Sequence, residues 1–317
     1  MKIAPLLLVV AVIAGGAVAY FAPGCSKSSP PVPPASPALK ADEAALVLQR
    51  GLGQRDLAKV WDGLPPAWQQ DVTALVQDFA SRMDPAVWNR TAATARKATG
   101  VLKDKRAFVL DGPAIGLALD LLDDKRAPAA YDALVAGFDA LANSELADLE
   151  KLKQFDGRAF AAGAGARVLA SAAELSGLSE DSSLHTWLER GSTARAKLLA
   201  DGDARAIVEL TRDGEEKVEQ VWVKVDGRWV PQQLADEWPN LIAQGRELVD
   251  ALAAPEAPKL KGALIQALPV VDGFLDRLAD AKTQGEFDSA VRGGALTLAG
   301  TFSGMLLDAG VQFFSDE

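Results

Sequence analysis

The sequence predicts an α+β, predominantly helical fold: a multi-helix layer, a short three- to four-stranded antiparallel meander and a C-terminal helical hairpin. Three observations predict it. From Ala41 onward apolar residues recur at helical offsets; between about 193 and 231 the period changes to two; beyond a linker at about 254–262, leucines resume an alternating four-three spacing. At 317 residues, 49% hydrophobic and 24% charged, the chain has ample material for a core.

The helices follow in order. "LPPAWQQDVTALVQDFASRM" places Trp68, Val72, Leu75, Val76, Phe79 and Met83 on one face, with Pro65 and Pro66 where a first turn tolerates them. The next helix opens on Asp84 as N-cap and Pro85, and Trp88, Ala95 and Leu102 form its expected apolar stripe. "PAAYDALVAGFDAL" repeats the pattern with Tyr131, Leu134, Val135, Phe138 and Leu141. Ser144 is placed to cap a turn carrying Leu146, Leu149, Leu152 and Phe155, and the alanine- and glycine-rich stretch 157–175 suits a closely packed helix. No fixed-period repeat points to a solenoid.

Then the period becomes two. "ARAIVEL" and "KVEQVWVKV" flank Asp213-Gly214, and Asp226-Gly227 turns the chain again into "RWVP". "TARAKLLA" is available as a strand before them. Trp222 falls opposite Val221 and Val223, alongside Gln220 and Lys224, which places a tryptophan on an otherwise polar face. A helix over about 234–253 offers Leu234, Trp238, Leu241, Leu248 and Leu252 to that sheet. Leu264, Leu268, Val271, Leu275 and Leu278 form the later seam, which Pro269 is expected to kink. "GGALTLAGTFSGMLL" is fifteen uncharged residues, short of the ~17–25 that cross a bilayer. It reads as a buried helix, with Gly300 and Gly304 spaced for close helix approach.

Composition excludes several functions. Lys+Arg 33 against Asp+Glu 43 leaves a net charge of -10, the wrong sign for general nucleic-acid binding, so no nucleic-acid partner is expected. One cysteine makes no intramolecular disulfide and no cysteine-based zinc site. One histidine, His185, leaves little triad or metal chemistry. Ser182, Ser183, Asp181 and Glu180 lie beside it, but that segment reads as a capped helix start carrying Leu184, Trp187 and Leu188 inward. No phosphate-loop, dinucleotide, zincin or nucleophile-elbow motif occurs. The acidic pairs Asp123-Asp124, Glu215-Glu216 and Asp236-Glu237 lie near basic residues or turn signals and read as solvated surface. No catalytic residue, metal ligand or cofactor is expected. The ligand-binding candidates are Trp222, Lys224, Trp229 and Trp238, clustered about the meander.

The N-terminus carries the most specific signal. Residues 3–22, "IAPLLLVVAVIAGGAVAYFA", are apolar and follow Lys2, the pattern of a secretory signal peptide. Ala22-Pro23-Gly24-Cys25 then resembles the lipobox of bacterial lipoproteins. Gly24 fits the position before the cysteine, Ala22 stands where leucine is usual, and Pro23 departs from the pattern. The resemblance implies a glyceride on the Cys25 thiol, cleavage before it and acylation of the new N-terminus. It also implies membrane lipid as a partner and, with Ser26 next in the chain, the outer membrane as the address. An uncleaved transmembrane anchor is the alternative, since about 20 apolar residues also span a bilayer. The prolines at 30, 31, 33, 34 and 37 favour an extended spacer.

A second resemblance concerns the remainder. "AALVLQRGLGQRDLAKVWDGLPPAWQQDV" is similar to the first helix pair of the nuclear transport factor 2-like (cystatin-like cone) superfamily, and "VEQVWVKVDGRWVP" resembles its terminal hairpin. Residues 84–190 depart from it as a helical insertion. The resemblance implies a binding module; enzymes of that fold carry acid–base residues inside the cone, and no such set is matched here. The expected organisation is a signal peptide over 1–24, a lipidated cysteine and tether over 25–40, a helical domain with its meander over 41–254, and a C-terminal hairpin over 255–317. The expected function is a non-enzymatic, lipid-anchored cell-envelope protein that binds an envelope protein or a small ligand. An envelope hydrolase or isomerase using carboxylates is one alternative. Self-association through the C-terminal hairpin is the other.

Overall fold

The computed structural model describes residues 39–112, 126–178, 188–189, 191–211, 217–252 and 257–308. Cys25 and its flanks, His185 with its neighbours, and the Asp123-Asp124, Asp213-Gly214 and Glu215-Glu216 pairs lie outside them.

In chain order the helices are α1 (Ala41–Gly53), α2 (Leu57–Gly63), α3 (Pro66–Arg82), α4 (Pro85–Asp104), α5 (Arg106–Leu110) and α6 (Ala127–Ala142). A helical run α7 (157–177) contains one π turn, Ala161–Gly165. Strands β1 (Arg195–Asp201), β2 (Arg205–Thr211), β3 (Val218–Val225) and β4 (Arg228–Pro231) precede α8 (Gln232–Ala251), α9 (Ala257–Asp280) and α10 (Gln284–Asp308). The fold is therefore α+β and predominantly helical, with one four-stranded antiparallel sheet and a C-terminal helix pair. No described helix is long and apolar enough to cross a membrane.

The described residues form two compact units. One takes its residues from Met1–Ser81 and Glu150–Asp250, the other from Arg82–Leu149 and Ala251–Glu317. Each unit is assembled from two separated stretches of chain.

In the sheet unit the strands run in sequence order β1-β2-β3-β4, a meander. The β3–β4 turn has Asp226 at φ 48° and Gly227 at φ 78°, so both central residues take the left-handed region that a two-residue primed hairpin needs. Ala206, Val208 and Leu210 of β2 lie on one face with Trp222 and Trp229, and α1 covers them with Ala41 and Ala45. This corrects the expected facing of β3. Trp222 is 1% exposed at the centre of the covered face, and Val221, Val223 and Val225 are the half-exposed side. The cross-strand partner decides it: Trp222 pairs with Ala206, whose small side chain leaves room for an indole beneath α1.

A second layer of this unit rests on α3. Its buried residues are Trp68, Val72, Leu75, Val76 and Ala80, close to the predicted face. Helix α8 buries Trp238, Ile242, Gly245 and Val249. It was expected to set Trp238 and its leucines on the sheet; instead Trp238 stacks on Trp68 of α3, ring centroids 4.3 Å apart and 9° from parallel. Gly245 in the seam admits Leu75, and a glycine is invisible to a count of large apolar residues. At the start of α7, Gly157 faces the Trp61 ring so closely that a β-carbon has no room.

The helical unit is built differently. Asp84 caps α4 by accepting from the backbone N–H of Ala86 and Val87, as its sequence predicts. The buried residues of α4 are Val87, Ala92, Thr94, Thr99 and Val101, with Trp88, Ala95 and Leu102 only half-buried. The expected single stripe is replaced because α4 packs on two sides, against α6 and against α9. Similarly, α6 buries Tyr131 and Val135 with four alanines, while Leu134 and Phe138 are 39% and 55% exposed. Alanines bring the helix axes close, and the larger side chains are turned outward. Leu268, Leu275 and Leu278 of the predicted α9 seam are buried, and α9 continues through Pro269 as one helix. Ser144, as expected, caps the following turn by accepting from the N–H of Leu146.

Candidate functional site

Beside the β3–β4 turn the sheet unit has a partly enclosed recess of about 40 Å³. By volume it holds roughly three waters or a short alkyl end. Its wall is drawn from four places. Leu39 precedes α1, which adds Ala44, Val47 and Leu48; Val60 comes from α2, and Leu234 opens α8. Trp222, Trp229, Val230 and Pro231 complete it from the hairpin, with Arg228 as the one charged lining residue.

Two of the four predicted ligand-binding residues, Trp222 and Trp229, line it, and Lys224 lies beside Trp229 without lining it. Trp222 and Trp229 form wall, and the Lys224 ammonium sits 4.8 Å from the centroid of the Trp229 ring, its cross-strand partner. A cation over an indole face is attracted by the ring quadrupole. Trp238 is not part of the recess. Its indole N–H donates to Asp71 at 3.0 Å, and Asp71 also lies 3.7 Å from Arg246, so this residue is committed to packing α8 on α3.

Trp222 differs from Trp238 in its polar atom. Its buried indole N–H has no acceptor among the described residues. Such an orphaned donor costs about 1–3 kcal/mol. Arg228 and Lys224 have no ion-pair partner among the described residues either. Sequence reasoning missed Arg228 and the helical half of the wall. The signal for Arg228 was its place directly after a two-residue turn, beside Trp229. Nothing local in the sequence joins Val47 or Val60 to residues some 170 positions later.

The described carboxylates do not assemble an acid–base pair at this recess, since none lines it. Asp236 and Glu237 accept from Gln232 and Gln233 one turn earlier on α8, at 3.5 and 3.3 Å. The carboxylates held below their usual range belong to the helical unit. Lys261 and the backbone N–H of Val87 hold Asp84 down, and the Arg106 fork holds Asp132 down. Burial pushes Asp272 up, but hydrogen bonds from Thr94 and Arg90 outweigh it and leave the group lowered. A general acid at neutral pH needs the opposite shift. Burial pushes the Tyr131 phenol up to about 12 while its hydroxyl donates to the Leu102 carbonyl at 2.7 Å. Among the described residues no three of His, Cys, Asp and Glu are grouped to hold a metal ion.

Fold and site thus define a helix-rich α+β protein with a tryptophan-walled recess under a short meander. No protein-family model, curated protein or solved structure matches the chain.

Proposed function

We propose that the chain is a lipid-anchored cell-envelope protein that binds a small ligand or an envelope protein without catalysing a reaction. The observation that carries the anchor is Cys25, the only cysteine, placed directly after the apolar stretch 3–22 and before a proline-rich spacer. Two or three acyl chains hold a protein firmly at about 0.8 kcal/mol per buried methylene, whereas a lone thiol there has no disulfide partner. The anchor site is the outer membrane, the rest of the chain facing the periplasm. The binding half is supported by the recess, whose wall is apolar apart from Arg228. The similarity of the 44–72 and 218–231 stretches to nuclear transport factor 2-like modules agrees with a binding role.

The test is the intact mass of the membrane-extracted protein beside a Cys25→Ala variant. A mature chain starting at Cys25 with added acyl mass, absent from the variant, is the expected result. An unprocessed chain in both samples overturns the lipoprotein reading in favour of a transmembrane anchor.

A second reading is favoured by the C-terminal helix pair, where Ile265 is 49% and Leu296 78% exposed. Self-association through these helices predicts that Leu296→Glu lowers the oligomer mass in light scattering. An unchanged mass removes that reading.

A further inference from the structure

We propose that the uncovered face of the sheet docks a second copy of this chain, aliphatic strip against aliphatic strip, inside a border of charges of both signs. The strand register separates the two faces. Trp222 pairs with Ala206 beneath α1, whereas Ile207 pairs with Val221, Arg205 with Val223 and Val225 with Arg228 on the other side. On the covered face Ala206, Val208 and Leu210 are at most 3% exposed. No residue of β1, β2 or β3 on the opposite face is buried, and cover there reaches only Val230 of β4, the partner of Val223.

The solvent face of an antiparallel sheet ordinarily alternates to polar side chains. Here Ile207, Val221, Val223 and Val225 adjoin one another half-exposed, so four β-branched side chains form one strip. A contiguous apolar strip within a polar border marks an interaction surface. Lys197, Arg205 and Arg228 give that border three cations, and Asp203, Glu219 and Asp226 give it three carboxylates. None of these six side chains has an ion-pair or hydrogen-bond partner among the described residues, although Glu209 on the same face is held by Lys217 at 3.0 Å.

The charges choose the occupant. A partner of one sign would satisfy three of the free groups and be repelled by the other three. A second copy brings three of each, and a two-fold axis makes every pairing occur twice. The six also sum to zero in a chain of net charge -10, so two copies approach here without the repulsion that the rest of the surface carries. Strands of about seven residues at about 3.3 Å rise, four of them about 4.8 Å apart, give a face of roughly 450 Å² per copy. The pair then buries roughly 900 Å², below the standard size of a stable interface, so the dimer is reversible.

The test is sedimentation velocity of the full chain in one density-matched detergent at rising concentration, up to about 100 µM. Circular dichroism checks the fold of every variant. Asp203→Lys with Glu219→Lys makes one chain with a largely cationic border; Arg205→Glu with Arg228→Glu makes another with a largely anionic one. Asp226 keeps its left-handed turn in both. Wild type should reach a dimer, and each double variant alone should associate at least tenfold more weakly. Mixed in equal amounts, the two variants should dimerise at least as tightly as wild type, and added salt should loosen them. Mixing does not repair a misfolded chain, so recovery reports the interface.

A wild type that stays monomeric throughout overturns the proposal, as do double variants that remain apart when mixed. A dimer lost in Leu296→Glu but kept in both double variants also overturns it and gives the contact to the C-terminal helices. An acylated Cys25 by mass leaves the anchored-protein reading standing in every case.

Discussion

Trp61, Trp68, Trp222, Trp229 and Trp238 all lie in the sheet unit, whereas among the described residues the helical unit has only Trp88. Among the described residues the helical unit has five ion pairs between helices, Arg90–Asp272, Lys97–Asp276, Lys103–Asp139, Arg106–Asp132 and Lys261–Asp84, against two in the sheet unit, Arg158–Asp62 and Arg246–Asp71. The two units solve one problem by different means. Apolar burial is non-directional and scales with area, so a few indoles suffice to hold strands and helices together. An alanine-lined face such as that of α6 buries little area and distinguishes poorly between registers. Directional polar contacts then set how one helix slides along the next, although exposed pairs contribute only ~0–1 kcal/mol each. Asp272 is the centre of that network. It accepts from Arg90 at 2.6 Å and from the buried Thr94 hydroxyl at 2.6 Å, while Lys97 reaches its backbone carbonyl at 3.0 Å.

If this contrast is right, the largest single loss comes from the indole stack. Trp238→Ala should cost the sheet unit about 4 kcal/mol, measured by urea denaturation, because it removes the Trp68 contact and the hydrogen bond to Asp71. A cost below 1 kcal/mol would mean the stack is ornamental. Next in size, Asp272→Ala should destabilise the helical unit by about 2 kcal/mol, since it leaves the buried Thr94 hydroxyl without its acceptor. Hydrogen exchange should localise that loss to α4 and α9; a uniform increase across both units would break the comparison.

A third effect separates the units by pH. Asp84, Asp132 and Asp272 have folded pKa values below their unfolded ones. Their stabilisation is therefore complete above the unfolded value near 3.9 and is lost as pH falls through the lower folded values. Protection against exchange, taken relative to the intrinsic rate at each pH, should fall in the helical unit below about pH 4 before it falls in the sheet unit. Simultaneous loosening would show that these pairs do not govern its stability.

The smallest effect is expected at the most buried tryptophan. Trp222→Phe leaves a small void but also removes an orphaned donor, so its net cost should stay under about 1 kcal/mol. Trp238→Phe, which breaks a satisfied hydrogen bond, should cost more. The reverse order would mean that Trp222 has an acceptor in solution.

What could be read from the chain alone was what neighbours in sequence decide. The Asp84 cap, Pro66 at the start of α3, the Asp226-Gly227 turn and a meander of three or four strands all depend on residues within a few positions of one another. The facing of Trp222 did not, because Ala206 across the strand decides it. The buried face of α8 was missed because its seam contains Gly245, and the outward turn of Leu134 and Phe138 because alanines were the contact residues. The candidate site was half legible: the hairpin supplied Trp222 and Trp229, while the opposing wall came from α1 and α2.

The interleaving of the two units sets an order of events during synthesis. Residues 39–81 wait for 150–250 before their unit can close, and the described residues of 82–149 wait in turn for those of 251–308. The Trp238–Asp71 bond spans 167 positions and the Arg90–Asp272 pair 182, so neither unit is complete while much of the chain is still to be made. Such long-range closure slows folding and leaves apolar faces uncovered for as long as the partner stretch is missing. The sheet unit has all its residues once Asp250 has emerged; the helical unit is the last to finish, and a truncation in α9 or α10 should spoil it while sparing the other.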